Sequence, residues 1–383
     1  MQTVLRQGQV NPRPPRKRSQ AYPGVHPLST LTHRTQRFQP LPPPLGDPPY
    51  HYSLETSLPE IGSAKKIVFH TVGDTGGIKN AEYQADVATK MKGDLNNPAG
   101  EAPDFFYHLG DVVYYNGEID KYYEQFYDPY NHYSAPIFSI PGNHDGDPVN
   151  ASQTSLDGWV RYFMSPSAQV RPESQDAPRV TMSLPNVYFT LNCPLVTIIG
   201  MYTNVPEHGS IDSVQQQWLT HEFATAAEDK ALILALHHPV YSFDDHHSGS
   251  PAMADAVQHA INDSRRVPNM VLTAHVHNYQ RIECTVSKGI TIPFLVAGHG
   301  GYYHLHGLTA NPGKEGVDPE TKAHLIAAND KQHGYVTLTV DKENISGFMT
   351  TVTDSKREGA DKADKFSYPA KPIKLGKEGI VSL

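Results

Sequence analysis

The chain has 383 residues, a formal net charge of -8 at pH 7 and 38% hydrophobic residues, so it can bury one large core or two modest ones. Its acidic balance argues against a protein that coats nucleic acid or an anionic membrane, because that function needs clustered Lys and Arg. Cys193 and Cys284 are the only cysteines; they are too few for a disulfide framework and lack the CxxC spacing of a thiolate metal site. A bound metal would therefore have nitrogen and oxygen ligands.

The first 60 residues differ from the rest in composition. They hold 12 of the 32 prolines, and seven Lys and Arg against three acidic residues, which gives a local charge of +4. We expect residues 1–62 to be a basic, disordered or surface-draped arm, and a solvated tail rather than a docking segment. The arm has no apolar core of a secretory signal, and no run in the chain could span a bilayer, so we expect a cytoplasmic location.

Short apolar runs and helical patterns follow from residue 65 onwards. Continuous apolarity predicts five buried strands of a sheet covered on both faces, at 66–72, 104–109, 136–140, 231–236 and 269–274. Helical spacing occurs at 81–93, around 118–127 and at 213–228. Alternating runs predict antiparallel strands at 280–286, 292–297, 334–340 and 345–352.

These patterns predict an α/β fold with two sheets and outer helices. We assign the main folded domain to residues 63–353 and a C-terminal tail to 354–383. The connection from 146 to 185 has room for a lid or a specificity insert, and it carries Arg161, Arg171 and Arg179.

Each of the five predicted buried strands ends in polar residues. In chain order these are Asp74; Asp111 and Tyr114; Asn143, His144 and Asp145; His237 and His238; and His275 and His277. Ligands in open α/β sheets gather outside the carboxyl ends of strands, so the five ends should converge on one crevice. The nitrogen and oxygen donors suit iron, zinc or manganese, and they are too many for one tetrahedral ion. Asp111 could bridge two ions about 3.5 to 4 Å apart, the separation used in phosphoryl displacement.

These residues, in this order, resemble the calcineurin-like metallophosphoesterases, and more narrowly the purple acid phosphatases. That family is recognised by GDxG, GDxxY, GNH(D/E), VxxH and GHxH. The matching segments are GDTG (73–76), GDVVY (110–114), GNHD (142–145), LALH (234–237) and AHVH (274–277). The resemblance covers roughly residues 65–350 and implies a four-layer α/β/β/α sandwich with a binuclear metal site at the carboxyl ends of the strands. Leu234 replaces Val and Ala274 replaces Gly, and neither change removes a ligand.

The resemblance gives Tyr114 a specific role. Most of the superfamily begins with DxH, whose His binds the first metal, whereas this chain has Gly76 at that position. The missing ligand is similar to what the Tyr supplies in the purple branch, where its phenolate binds iron(III). The alternative is that Tyr114 and Tyr115 both pack at the edge of the crevice.

Two metal ions are implied, iron(III) at a first site and iron(II), zinc or manganese at a second. The implied ligands are Asp74, Asp111, Tyr114 and His277 at the first site and Asp111, Asn143, His237 and His275 at the second.

Three further histidines are expected to face the substrate. His144 follows the ligand Asn and matches the family's substrate-side His, with Asp145 as a candidate partner for its ring. The family also has a His pair nine and ten residues beyond the VxxH ligand, which corresponds here to His246 and His247. A solvated polar loop is the alternative for this pair. His238 is expected to pack rather than to bind a metal.

The segment HGGYYHLH, residues 299–306, should border the same crevice. We expect a Gly-rich loop in which Tyr302 or Tyr303 lines the pocket, in preference to a third metal site.

The resemblance implies a binuclear metal-dependent phosphohydrolase, an acid phosphatase-like phosphomonoesterase in which metal-bound hydroxide attacks phosphorus in line. The expected partner is a small-molecule phosphate ester, with neither nucleic acid nor a membrane. A phosphodiesterase of the same superfamily is the nearest alternative, although it would normally keep DxH. A non-catalytic metal-binding scaffold is a less favoured alternative, since fold alone does not imply activity.

Overall fold

The computed structural model describes residues 40–98, 100–148, 153–204, 208–313, 316–352, 362–376 and 378–383. The α-helices of this part of the chain are α1 (Glu82–Asp94), α2 (Asn143–Gly146), α3 (Asp157–Phe163), α4 (Ser213–Thr225) and α5 (Pro251–Ser264). Its strands are β1 (His51–Ser53), β2 (Ile67–Val72), β3 (Phe105–His108), β4 (Ile137–Ser139), β5 (Phe189–Asn192), β6 (Val196–Gly200), β7 (Ala231–Ala235), β8 (Arg266–Val267), β9 (Met270–Thr273), β10 (Tyr279–Ser287), β11 (Ile290–Ala297), β12 (His324–Asn329), β13 (His333–Val340), β14 (Asn344–Val352), β15 (Lys362–Pro369) and β16 (Ile373–Lys374).

Two mixed sheets form the centre of the protein. The first sheet has the strand order β1-β5-β6-β7-β9-β11-β10-β12, and the second has the order β15-β14-β13-β2-β3-β4. The strands β6-β7-β9-β11 of the first sheet and β2-β3-β4 of the second run parallel, with antiparallel strands at their sides. The predicted two-sheet α/β sandwich is therefore confirmed.

The five predicted buried strands are present as β2, β3, β4, β7 and β9, and each is buried along its whole length. Helices α1 and α4 confirm two of the three helical segments; α1 contacts β13 and β14, and α4 packs beside α5. The third segment is also helical but is not a regular α-helix: a 3-10 helix at Ile119–Lys121 is followed by a π-helix at Tyr123–Tyr127. Pro129 follows two residues later and lacks the amide proton that a longer helix would need.

The described part of the N-terminal segment is packed. Residues 1–39 lie outside the described residues, but 40–62, which the sequence assigns to the arm, include β1, which pairs in parallel with β5 at the edge of the first sheet. Leu54 and Ile61 belong to the hydrophobic core. The arm prediction is wrong for these residues because composition averaged over 60 positions hides a short apolar anchor.

The predicted C-terminal tail also contains structure. Strand β15 pairs antiparallel with β14 at the edge of the second sheet. Asp364 on β15 accepts hydrogen bonds from Arg281 Nε at 2.8 Å and from Tyr279 Oη at 2.7 Å, both on β10 of the first sheet. The tail prediction is therefore wrong for the part that forms β15, and Asp364 on this strand connects the two sheets.

Among the described residues, no helix combines the length and the apolarity that crossing a membrane would require.

Candidate metal centre

The carboxyl ends of the two sheets meet at one place and bring different side chains to it. The second sheet contributes oxygen-bearing residues after β2, β3 and β4, and the first sheet contributes imidazoles after β7 and β9. The oxygen-bearing residues are Asp74, Asp111, Tyr114 and Asn143, and the imidazoles are His237, His275 and His277. All seven are at most 4% exposed. The predicted convergence of five strand ends is therefore what the fold produces.

Asp74, Tyr114 and His277 form one group. The Tyr114 hydroxyl donates a hydrogen bond to Asp74 Oδ1 at 3.1 Å and lies 3.4 Å from His277 Nε2. His277 Nε2 is also 3.4 Å from Asp74 Oδ1. Two ligands of one transition-metal ion, each about 2.0 to 2.2 Å from it, lie roughly 3 Å apart, so these three atoms have the spacing of a ligand set. Tyr114 points into the centre, which rules out packing at the edge of the crevice as its placement.

Gly76 makes room for Tyr114. A Cβ atom at residue 76 would lie 2.6 Å from Tyr114 Cδ2 and 2.5 Å from Gln125 Oε1, both shorter than ordinary contacts. Gln125 fixes the backbone of Tyr114, since its side chain accepts from the Tyr114 amide at 2.8 Å and donates to the Tyr114 carbonyl at 2.7 Å. A His at position 76 could not share this space with Tyr114.

Asn143, His237 and His275 form a second group. Asn143 Oδ1 is 3.1 Å from His237 Nε2 and 3.0 Å from His275 Nδ1. His237 Nδ1 donates its proton to the Leu109 carbonyl oxygen at 2.8 Å, which turns Nε2 towards the group. A carbonyl acceptor behind the ring is the usual way in which a metal-binding His is oriented.

Asp111 lies between the two groups. Its Oδ1 accepts a hydrogen bond from the His144 amide at 2.9 Å. Its Oδ2 is buried, lies 3.4 Å from His237 Nε2 and receives no hydrogen bond from the described residues. A buried oxygen left without a donor costs about 1 to 3 kcal/mol, a cost that a cation would remove. The residues present therefore fit two cations that share Asp111, although their role as ligands stays a prediction.

Three of these residues have a left-handed backbone. The φ angles are 54° at Asp74, 54° at Asp111 and 65° at His275. For a residue other than glycine this conformation costs about 1 to 3 kcal/mol and persists only where surrounding contacts enforce it. Each residue follows the end of a buried strand within three positions, so the strained turn directs its side chain back to the centre.

Burial dominates the electrostatics of the centre. It raises the pKa of Asp74 and that of Tyr114 well above their usual values, and the Asp74 charge adds to the shift of Tyr114. Burial also raises the pKa of Asp111, but His237 and His144 outweigh it and bring that pKa well below its usual value. Burial opposes protonation of His237, yet Asp111 raises the pKa of His237 to about 9. Cations at this place would favour the deprotonated forms of Asp74, Tyr114 and His237, whose pKa values are raised, so metal uptake should release protons.

His144 faces the centre. Its Nδ1 donates to the carbonyl oxygen of Tyr115 at 2.8 Å, and its Nε2 lies 4.0 Å from Asp111 Oδ2. The ring is held by this carbonyl rather than by Asp145, which corrects the predicted pairing.

Asp145 connects two loops by hydrogen bonds. Its carboxylate accepts hydrogen bonds from the amides of Val112, Val113 and Gly142 at 2.9 to 3.2 Å. Burial and the charge of Asp111 raise the pKa of Asp145 to about 7. The contacts hold the loop after β4 against the loop after β3, so Asp145 acts on the relative position of the metal-ligand candidates.

His246 and His247 are adjacent in sequence but have different surroundings. His247 is buried, and its ring centre lies 4.5 Å from that of His275. His246 keeps 28% of its side chain exposed and stacks on His306 at 4.3 Å. The amides of both donate to Oδ2 of Asp244, at 3.0 and 2.8 Å, so a buried carboxylate fixes this turn. The solvated-loop alternative is therefore wrong for His247, whereas His246 keeps part of its side chain in solvent, and the role of both towards substrate stays a prediction.

The segment 299–306 borders the centre, as predicted. The Tyr302 ring lies 4.5 Å from that of Tyr114 and 4.2 Å from that of His277. His304 and His306 also lie beside His246, a proximity that was not predicted, although the alternating histidines of HLH were a signal. His238 packs with its ring 4.5 Å from that of His275.

The arginines of the 146–185 connection make structural contacts. Arg161 pairs with Glu173, Arg171 donates to Ser165 Oγ, and Arg179 donates to the carbonyl oxygens of Tyr130 and Tyr133.

Comparisons with known proteins agree with this geometry. The profile of the calcineurin-like phosphoesterase family matches residues 67–279. The fold is similar to that of GAP50, described as the anchor in the inner membrane complex of Plasmodium, with 14% identity, 81% of this chain and 90% of that chain covered, and a TM-score of 0.58. It is also similar to the purple acid phosphatase PPD1 from yellow lupin (Lupinus luteus) seeds, with 16% identity, coverage of 80% and 54%, and a TM-score of 0.57.

A third similar structure is PhoD, with 15% identity, coverage of 83% and 73%, and a TM-score of 0.51. At these identities the likenesses show the fold alone. No curated protein sequence matches the chain.

Proposed function

The chain belongs to the calcineurin-like phosphoesterase family, and we propose that it is a phosphomonoesterase of the purple acid phosphatase type. Members of the family are typically hydrolases of phosphate esters that bind two metal ions. One observation carries the finer assignment. The phenol oxygen of Tyr114 lies within 3.4 Å of Asp74 Oδ1 and His277 Nε2, where residue 76 has no side chain to contribute.

The proposed ligands divide by charge. An iron(III) ion would be held by Asp74, Asp111, Tyr114 and His277, and an iron(II), zinc or manganese ion by Asp111, Asn143, His237 and His275. Three anionic oxygens suit a trivalent ion, whereas imidazoles suit a divalent ion of borderline softness. When bound, the two ions supply a water nucleophile of lowered pKa and neutralise charge on the phosphoryl oxygens.

His144 and His247 are the groups that we assign to the phosphoryl oxygens. His144 Nδ1 donates to the Tyr115 carbonyl, which turns His144 Nε2 towards the centre, and the amide of His247 is fixed by Asp244. A protonated imidazole can donate to a phosphoryl oxygen and can deliver its proton to the leaving oxygen. His246, which the resemblance pairs with His247, lies further out against His306.

Hydrolysis of p-nitrophenyl phosphate tests the proposal. The metal-loaded protein should release p-nitrophenol, a chelator should abolish the reaction, and Asp111→Asn should remove it. The exposed-residue variant His259→Ala is the matched control. Preference for bis(p-nitrophenyl) phosphate would favour the phosphodiesterase alternative.

No turnover of either ester by the metal-loaded protein would favour a non-catalytic scaffold, the alternative that GAP50's description as an anchor supports.

A further inference from the structure

Three histidines meet beside the metal centre. One ring nitrogen from each of His246, His304 and His306 lies within 4.8 Å of one ring nitrogen of each of the others. We call these three residues the outer histidine cluster. His306 is 2% exposed, whereas His246 and His304 are partly exposed, so the cluster has a closed inner side and an open outer side.

Backbone contacts hold the cluster together. The loop that carries His246 runs beside the loop that carries the other two, with a β-bridge between Asp244 and Leu308. The amide of His306 donates to the His277 carbonyl at 3.0 Å. The carbonyl of His304 accepts from His277 Nδ1 at 3.2 Å. The cluster is therefore fixed to a residue of the metal centre and does not depend on a mobile side chain alone.

Carboxylates stand behind two of the three rings. Asp244 Oδ2 accepts from His306 Nδ1 at 3.1 Å, and Asp245 Oδ1 accepts from His246 Nδ1 at 2.5 Å. A carboxylate only accepts, so each ring presents its Nδ1 proton to it and its Nε2 to the opposite side. This carboxylate–histidine pairing is the arrangement that orients and strengthens a metal-binding imidazole.

The charges around the outer histidine cluster favour a cation over an anion as its ligand. The carboxylates of Asp244 and Asp245 lie against the cluster and repel an anion such as phosphate. Asp244 itself has no exposed side-chain surface and also accepts from Asn278 Nδ2 at 2.9 Å. Imidazoles backed by carboxylates are well suited to bind a metal ion.

We propose that the outer histidine cluster is a third metal site, for Zn²⁺ or a similar divalent transition-metal ion, next to the centre built around Asp111. Three imidazoles with a fourth position open is a common coordination of zinc in enzymes, and the partly exposed side of the cluster supplies the open position. Mg²⁺ and Ca²⁺ are excluded as the preferred ions because they select oxygen ligands.

One ring must turn to close the site. The rings of His246 and His306 are stacked at an interplanar angle of 13°, and His304 stands at 82° to His246. Stacked rings direct their lone pairs side by side rather than at one point, so His246, which is the more exposed of the stacked pair, has to rotate when the ion binds.

Metal stoichiometry tests the site without reference to activity. The full-length protein, His304→Gln, His246→Gln, Asp111→Asn and the control His259→Gln would be equilibrated with Zn²⁺ and their bound zinc measured. Both cluster variants should lose one equivalent, or bind it about 10- to 100-fold more weakly, while the control loses none. Asp111→Asn should keep the equivalent of zinc that is lost in His304→Gln, because Asp111 is not part of the outer histidine cluster.

The outcomes separate this proposal from the proposed hydrolysis. If the wild-type protein does not hydrolyse phosphate esters but the cluster variants lose one equivalent of zinc, the third metal site would be supported and the proposed hydrolysis would not. Unchanged zinc content in both cluster variants would overturn it, even if the enzyme is active. If His304→Gln unfolds, the zinc content of His246→Gln, whose substitution is at a partly exposed position, decides whether the site exists. Weaker binding of inorganic phosphate with unchanged zinc content would identify an anion site instead and would also refute the proposal.

Discussion

The two sheets meet at the same centre but supply it with different chemistry. The loops after β2, β3 and β4 of the second sheet bring carboxylate, phenol and amide oxygens, and the loops after β7 and β9 of the first sheet bring imidazoles. Hard anionic oxygens favour ions of high charge, whereas imidazoles favour divalent ions of borderline softness. The first proposed site takes three of its four ligands from the second sheet, whereas the other takes two from each sheet, and this difference accounts for the different ions proposed for the two sites.

The outer histidine cluster extends the same division. His246 follows β7, and His304 and His306 follow β11, so all three belong to loops of the first sheet. A protein with oxygen donors on one side and imidazoles on the other can hold ions of different charge close together. Removing an oxygen donor of the second sheet and removing an imidazole of the first sheet should therefore lower the binding of different ions.

Asp111→Asn should have the largest effect, because this carboxylate lies in both groups. We expect kcat/KM for p-nitrophenyl phosphate to fall by about a thousandfold or more, and the content of both ions at the centre to fall. His237→Gln, on the imidazole side, should deplete only the divalent ion. Measurement of rate and metal content in both variants checks this. Equal loss of both ions in His237→Gln would mean that the two sheets do not serve different ions.

His247→Ala should have the next largest effect. If this buried imidazole serves the phosphoryl group, kcat should fall about a hundredfold while both ions of the centre remain. The exposed His259→Ala is the control. Loss of an ion from the centre in His247→Ala would show that His247 is a metal ligand and would refute its assignment to the substrate.

Tyr114→Phe tests the oxygen side by colour. A phenolate on iron(III) gives a purple or pink charge-transfer band, so removal of the oxygen should bleach this band. The affinity for the trivalent ion should fall by roughly tenfold or more, while the ring of residue 114 still packs in place. Tyr115→Phe is the matched control, because the ring of Tyr115 stands at 82° to that of Tyr114 and the side chain is not part of the group. A colourless, active, iron-loaded wild-type protein would show that Tyr114 does not bind iron(III).

Strand ends were the part of the site that the sequence could predict. Continuous apolar runs fixed where β2, β3, β4, β7 and β9 stop, and the polar residues just beyond them are the ones that meet. The partners of Asp145 could not be predicted, because two of them are the backbone amides of Val112 and Val113 in another loop. The outer histidine cluster was missed for a similar reason, since His246 and His306 are far apart in the chain.

The edges of the sheets were also beyond sequence reasoning. Leu54 and Ile61 lie in a Pro-rich stretch without an apolar pattern, yet they join the core next to β1, which pairs with β5. Strand β15 is charged and shows no apolar run, and it exists because β14 offers an unpaired edge.

Asp364→Asn should have the smallest effect on chemistry and tests how the two sheets are joined. Asp364 on β15 of the second sheet receives Arg281 Nε and Nη2 and Tyr279 Oη from β10 of the first, and the Arg281 and Asp364 side chains are only 10% and 11% exposed. Loss of this charge would leave a mostly buried guanidinium with weaker acceptors, so we expect the free energy of unfolding to fall by about 1 to 3 kcal/mol. Activity per bound metal should not change.

Thermal unfolding of the metal-loaded protein measures the effect of Asp364→Asn, with Glu228→Gln as the control. Glu228 pairs with Lys374 at the surface, where both side chains are more than half exposed, so its replacement should not change the melting temperature. An unchanged melting temperature in Asp364→Asn as well would mean that the side-chain bonds of Asp364 add nothing to stability. A lower melting temperature with unchanged turnover would instead show that the bond between the sheets stabilises the fold without adjusting the centre, because Asp145 and the strained strand ends already fix the ligand candidates locally.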